Sequence, residues 1–239
     1  MIKKIYEYLV DLLFPPRCPV CHEIVLPKGE KVCPKCRSRL YYVKEPYCMK
    51  CGKPLKNDEK EFCGDCERRA HFFTEGRAVF VYDETMRKSI YQFKYGGRQE
   101  YAGFYGEEIE KKLGGIIRRW NADVLIPIPL HKSRQKNRGY NQAELIAGEL
   151  EKRVGIPVVQ NLLVRVKKTA AQKNLNALER ENNLKKAFKI KQNDVKLNSV
   201  ILIDDIYTTG CTIDTAAKCL REAGIKKIYY IVLSIGHGL

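Results

Sequence analysis

Eight of the ten cysteines fall into four C-x-x-C pairs: Cys18/Cys21, Cys33/Cys36, Cys48/Cys51 and Cys63/Cys66. Eleven residues separate the two pairs of each half, and a shift of thirty residues carries the first four cysteines onto the second four. Such a repeat indicates two copies of one small unit. Two thiolates three residues apart grip one side of a tetrahedral ion, and a second knuckle completes it. Four sulfurs leave no open coordination position, so two structural Zn²⁺ sites are expected, holding the segment together and doing no chemistry. Sequential pairing is the simplest arrangement, and a cross-braced one satisfies the same spacing. Disulfides belong to oxidising compartments. A redox C-x-x-C stands beside a thioredoxin-like pattern and does not recur in register. Iron–sulfur clusters also take four cysteines, but paired knuckles favour zinc. His22 and His71 are expected at the surface beside the cysteines, and Cys211 and Cys219 as packing or loop residues.

A second chemistry lies in Val200–Thr212, VILIDDIYTTGCT. An apolar strand runs into two acids, then a loop of hydroxyls and glycine, then a helix. Gly210 permits close backbone approach, and amides at a helix N-terminus point at an anion. Thr208, Thr209 and Thr212 add hydroxyl donors, which makes the turn a phosphate cup. Asp204 and Asp205 would repel the phosphate unless they serve another part of the ligand. Vicinal ribose hydroxyls or a hydrated Mg²⁺ suit them. A phosphate at one end and a diol at the other describe a ribose 5-phosphate.

These groups need a scaffold, and the chain supplies an α/β alternation from about Glu75 onward. Strands are expected at Ala78–Tyr82, Val124–Ile128, Val158–Val166, Val200–Ile203 and Ile228–Leu233. Helices are expected at Glu84–Phe93, Tyr101–Leu113, Gln142–Arg153 and Thr212–Ala223. Apolar strands separated by helices imply a parallel sheet covered on both faces, with ligands at the carboxyl ends of its strands. The division is therefore residues 1–74, a helix plus the cysteine module, and residues 75–239, the α/β domain. Residues 2–14 start basic and turn apolar, but Glu7 and Asp11 interrupt the run and no cleavage site follows, so an amphipathic helix is expected, not a signal sequence. No stretch is long and apolar enough for membrane insertion, and a cytoplasmic protein is expected. The formal charge of +16 favours polyanionic partners, and it stays strongly basic after eight thiolates bind two Zn²⁺.

VILIDDIYTTGCT resembles the phosphoribosyl-pyrophosphate signature of type I phosphoribosyltransferases. The whole chain is similar to the ComF (ComFC) family of competence proteins, on two further stretches: IPIPLHKSRQKNRGYNQAELIA and RVKKTAAQKNLNALERENNLKKAFKI. The resemblance implies a type I phosphoribosyltransferase-like parallel sheet behind a double zinc ribbon. It implies that Asp204, Asp205, Tyr207, Thr208, Thr209, Gly210, Cys211 and Thr212 bind phosphoribosyl pyrophosphate with Mg²⁺. The basic loop with His131, Lys132, Arg134 and Arg138 would hold the pyrophosphate end, Asn141 would cap the next helix, and Gln172 would sit on a closing loop.

Three functions follow. The first is reception of single-stranded DNA during natural transformation, with a phosphoribosyl-pyrophosphate pocket, a competence helicase as candidate partner, and Tyr41, Tyr42, Tyr91 and Tyr140 as candidate stacking platforms. The second is pentosyl transfer to an unidentified acceptor. No acceptor pocket is defined outside the donor loops, so no catalytic residue is assigned. Ile2 follows Met1 where a glutaminase would need cysteine, which argues against glutamine-dependent amide transfer. The third is a zinc-ribbon adaptor with a regulatory pocket.

Overall fold

The computed structural model describes residues 15–27, 29–166, 187–191 and 196–236. The helix expected over residues 2–14 and the segment carrying Gln172 lie outside them. In chain order the elements are α1 (Pro34–Arg37), α2 (Gly64–Arg68), β1 (Glu75–Val81), α3 (Glu84–Tyr95), α4 (Tyr101–Trp120), β2 (Val124–Pro127), α5 (Lys132–Arg138), α6 (Gln142–Val154), β3 (Leu163–Arg165), β4 (Phe188–Ile190), β5 (Ser199–Tyr207), α7 (Cys211–Glu222) and β6 (Lys227–Ile235).

Four strands form one sheet in the order β1-β6-β5-β2, every neighbour parallel. The central strands β5 and β6 are apolar on both faces because both faces are covered. Along β5, Ile201 and Ile203 join the core under α3, α4 and α6, whereas Val200 and Leu202 join the core under α7. Strand alternation thus splits one run between two cores, and each fully buried Ile, Val or Leu contributes roughly 1.5–3 kcal/mol. Local signals place the helices. Asp83 accepts from the amide of Met86 at 2.8 Å to start α3, and Asn141 accepts from Ala143 at 3.1 Å to start α6 as expected. Asn121, at φ 45°, ends α4 seven residues beyond the expected stop at Leu113.

Two strands differ from expectation. The run 158–166 does not form one strand. Val158 bridges Leu125 in parallel, then a bend at the polar Gln160–Asn161 turns Leu163–Arg165 away to pair antiparallel with Phe188–Ile190. β5 continues past Ile203, because β6 keeps pairing with it: Asp204 is opposite Val232, Ile206 opposite Ser234 and Tyr207 opposite Ile235. Both acids therefore stand on a strand, where neighbours point to opposite faces. The basic segment read as a loop also contains helix α5, started by His131 Nδ1 accepting from Ser133.

The chain between the two cysteine units runs antiparallel along edge strand β1. Val43 donates to Val79 at 2.9 Å, and Val81 donates to Tyr41 at 2.8 Å. That covers an edge that would otherwise offer free backbone groups.

Candidate functional site

The cysteines gather in sequence, not cross-braced: Cys18, Cys21, Cys33 and Cys36 form one cluster, and Cys48, Cys51, Cys63 and Cys66 the other. Within each cluster all four sulfurs lie within 4.8 Å of one another. Cys51 and Cys63 sulfurs are 3.6 Å apart, and those of Cys21 and Cys33 3.9 Å. A tetrahedral Zn²⁺ with Zn–S bonds of about 2.3 Å sets sulfurs ~3.8 Å apart, so the donor set fits zinc. The second knuckle of each site precedes a helical turn, with Cys33 and Cys63 at the N-cap of α1 and α2. Burial pushes the Cys36 thiol up to about 12. Burial also opposes ionisation of Cys18, but amides of Cys21, Cys33 and Val20 outweigh it and lower that thiol. Crowded buried thiols of this kind ionise together only when a cation neutralises them.

Neither expected surface histidine behaves as one. The His71 side chain is 3% exposed, and its Nδ1 lies 2.5 Å from Asp214 Oδ2 on α7. Its ring stacks on Phe73 at 4.7 Å. His22 is half-buried with Nδ1 3.0 Å from the Tyr101 hydroxyl. The reason is the same for both: the ribbons pack against the α/β core, so residues beside the cysteines face protein.

At the carboxyl end of the sheet, residues Ile206–Ile213 line a small open cup of about 40 Å³ between β5 and α7. Gly210 is left-handed at φ 75°, and a Cβ there would lie 2.3 Å from the Tyr207 hydroxyl. Only glycine fits that turn. Thr208 is exposed, and Thr209 and Thr212 are half-buried. Thr209 donates to the Cys211 sulfur at 3.2 Å. Tyr207 and Cys211 are buried, so they support the turn from beneath.

Asp204 and Asp205 diverge as the pleat requires. Asp205 pairs with Lys94 of α3 at 2.7 Å, with both side chains mostly buried. Asp204 Oδ1 accepts from the Asp205 amide at 2.8 Å. Burial, with the charge of Asp205, pushes the Asp204 carboxyl up to about 7, against Lys94 and Arg165. Arg165, largely buried on β3, is within electrostatic reach of both Arg134 and Asp204. Charges of both signs therefore converge here. Arg138 is turned elsewhere, donating to Gln142 Oε1 at 2.9 Å and to the Tyr95 hydroxyl at 2.8 Å. Lys132 is exposed, and His131 is occupied as a helix cap. Lys94, Tyr95, Arg165 and the His71–Asp214 pair were not singled out from the sequence. Only the alternation of Asp204 and Asp205 on one strand could have pointed to Lys94.

These sites and this sheet define a double zinc ribbon joined to a parallel α/β domain with an anion-shaped turn at its carboxyl edge. The family model described as "Double zinc ribbon domain" matches residues 9–67. The chain is 41% identical over 108 residues to competence protein F of Haemophilus influenzae, covering 44% of this chain and 47% of that protein. It is 32% identical to competence protein ComFC of Bacillus subtilis over 67% of this chain and 66% of that protein. It is 31% identical to DNA utilization protein YhgH of Salmonella typhi over 62% and 67% respectively. The chain belongs to the ComF family. The first two matches span less than two thirds of those relatives' own lengths. Among solved structures, a purine phosphoribosyltransferase from Pyrococcus horikoshii is similar over 56% of this chain and 87% of its own, at 17% identity and TM-score 0.34, a distant likeness.

Proposed function

We propose that this chain binds phosphoribosyl pyrophosphate and single-stranded DNA and serves DNA uptake in natural transformation. One observation carries the ligand half of this reading: a strand bearing two acids runs directly into a glycine-pinned cup at a helix N-terminus. The cup takes the 5-phosphate through the amides of residues 208–212 and the hydroxyls of Thr208, Thr209 and Thr212. Asp204 and Asp205 take the ribose hydroxyls, with Lys94 already seated beside Asp205 as an additional donor toward ligand oxygens. Asp204 and Asp205 are the residues that would hold Mg²⁺, and the ion would neutralise the pyrophosphate charge. Arg134 and Lys132 on α5 would supply cations for the pyrophosphate end, and Gln172, outside the described residues, is a further proposed contact. In this reading residues 1–74 are the metal-bound module and residues 75–239 the ligand domain.

The nucleic-acid half rests on charge and kinship. A formal charge of +16 favours a polyanion. The similar proteins are named for competence and DNA utilization. The working place is the cytoplasm, with a competence helicase as candidate partner. No helix among the described residues is long and apolar enough to cross a membrane.

The test is titration calorimetry with phosphoribosyl pyrophosphate and Mg²⁺ on the wild type and on a double variant, Asp204→Asn with Asp205→Asn. Binding is expected to fall at least roughly 100-fold, on the basis of two or more charge-assisted hydrogen bonds lost, while zinc content stays at two equivalents. Undiminished affinity in the double variant would remove the pocket assignment. Anisotropy of labelled single-stranded DNA, titrated with salt, should show affinity falling steeply as salt rises. Weak, salt-independent binding would remove the DNA assignment.

A further inference from the structure

Helix α3 carries Arg87, Lys88, Tyr91 and Tyr95 at three- and four-residue spacing, which sets them along one face. All four are exposed, and the two tyrosines are 60% and 59% open to solvent. Their rings do not point into the core but meet each other, with centroids 5.0 Å apart. The guanidinium of Arg138 crosses from α5 and lies 4.7 Å from the centre of the Tyr95 ring. Its two hydrogen bonds, to the Tyr95 hydroxyl and to Gln142, hold it in that position. An exposed aromatic pair, clamped at one end by a cation and flanked at the other by two more, forms a continuous step.

We propose that Tyr91 and Tyr95 are a stacking step for unpaired bases of a single-stranded nucleic acid, whose phosphates run along Arg87, Lys88 and Arg138. The inference rests on the DNA-binding reading above and gives it a location. Aromatic faces interleaved with cations match a single strand, which offers both open base faces and a charged backbone. A duplex hides its base faces, and an acidic peptide has no need of the rings. The local counterion is weakly held. Glu84 reaches Lys88 at 3.0 Å and Arg87 at 3.7 Å, but all three side chains are well exposed, so phosphates can displace it readily. The step is also tied to the ligand cup, since Lys94, next to Tyr95, is the partner of Asp205.

The experiment uses the full chain with zinc bound and three labelled probes: oligo-dT, an abasic oligomer of equal length and an oligo-dT duplexed with oligo-dA. Tyr91→Ala with Tyr95→Ala is expected to weaken oligo-dT binding by roughly tenfold or more, the range for lost base stacking. The same variant should weaken abasic binding far less, through the loosening of Arg138 alone. Tyr91→Phe with Tyr95→Phe should bind oligo-dT within about twofold of the wild type, because the rings remain and Gln142 still holds Arg138. Arg87→Gln with Lys88→Gln should reduce the salt slope by up to about two. If the wild type binds oligo-dT but the alanine variant binds it equally well, the step is wrong and the DNA reading stands. If the wild type prefers the duplex, or binds abasic and dT probes alike, the step is likewise wrong. If the wild type binds none of the probes, both readings fall.

Discussion

The first ribbon meets the rest of the chain through the helix layer. The Tyr101 hydroxyl donates to the carbonyl of Cys18 at 3.2 Å, and buried Glu108 of α4 holds Arg37 at 3.2 Å and Tyr42 at 2.8 Å. The second ribbon, with the same cysteine spacing, sits on the opposite side of the sheet edge and meets the sheet itself. There the Tyr230 hydroxyl of β6 donates to the carbonyl of Cys51 at 2.7 Å, and the Tyr230 ring stacks on Tyr207 with centroids 5.0 Å apart. Lys53 lies over that Tyr207 ring at 5.9 Å and pairs with Asp65 at 2.6 Å. Beyond the last cysteine, His71 and the Phe72 amide both bind Asp214 in the first turn of α7. Tyr207 and α7 bracket the cup at the carboxyl end of the sheet. One repeat therefore braces helices, and its copy braces the strand and helix that form the cup. A metal site without chemistry of its own can still set the geometry of a neighbouring turn.

The largest effect should separate the two metals. Cys33→Ser and Cys48→Ser are each expected to lose one of two zinc equivalents, measured by metal analysis. With its metal gone, each ribbon loses most of what folds it. Only Cys48→Ser should also raise hydrogen exchange at residues 207–212 and weaken ribose-phosphate binding. Equal exchange at the cup in both variants would erase the distinction drawn between the copies. A smaller effect should come from the residue after each first knuckle. His22 and Gly52 are thirty residues apart, equivalent in the repeat, and both left-handed, at φ 67° and 74°. In the first copy a side chain is tolerated and put to use against Tyr101. In the second, a Cβ would lie 2.8 Å from the Gly76 carbonyl oxygen and 3.1 Å from the Arg77 Cα. Gly52→Ala is expected to destabilise by about 2 kcal/mol or more in urea unfolding, from left-handed strain plus a backbone clash. His22→Gly should stay within about 1 kcal/mol, since relieved strain offsets the lost ring contact. A Gly52→Ala protein as stable as the wild type would mean that the second ribbon is not pressed against β1.

Much of this was legible in the residues. The thirty-residue shift gave the eight ligands, the structure their sequential grouping, and apolar runs gave all four strands of the main sheet. The turn after β5 announced itself through Gly210 and its threonines. What remained hidden depends on which face a residue meets, because spacing states only which ligands a ribbon has, not what it leans on. His71 was misread because a polar ring beside exposed-looking cysteines gives no sign of a buried aspartate 143 positions later. Asp204 and Asp205 look like one pair in a line of text, but Asp205 is ion-paired to Lys94, whereas Asp204 is buried, accepts from the Asp205 amide and feels both Lys94 and Arg165. The split of residues 158–166 did leave a mark in the sequence, because the polar Gln160–Asn161 interrupts the apolar run at the bend.

The smallest effect is the most discriminating, because each copy has one tyrosine hydroxyl bound to one knuckle carbonyl. Tyr101→Phe and Tyr230→Phe delete a single hydroxyl each and leave the rings in place. Each is expected to cost about 1 kcal/mol, because both partner carbonyls belong to buried cysteines. Their stability losses should be close, but their consequences should not be. The Tyr230 ring stacks on Tyr207, whose hydroxyl occupies the space that Gly210 leaves open. Loosening Tyr230 should therefore reach the cup and raise exchange of the amides that follow Tyr207, whereas loosening Tyr101 should raise exchange only around Cys18 and α4. Exchange mapped on both variants at matched stability decides whether the second ribbon reaches the turn after β5 through this pair of stacked rings or only through His71 and Asp214.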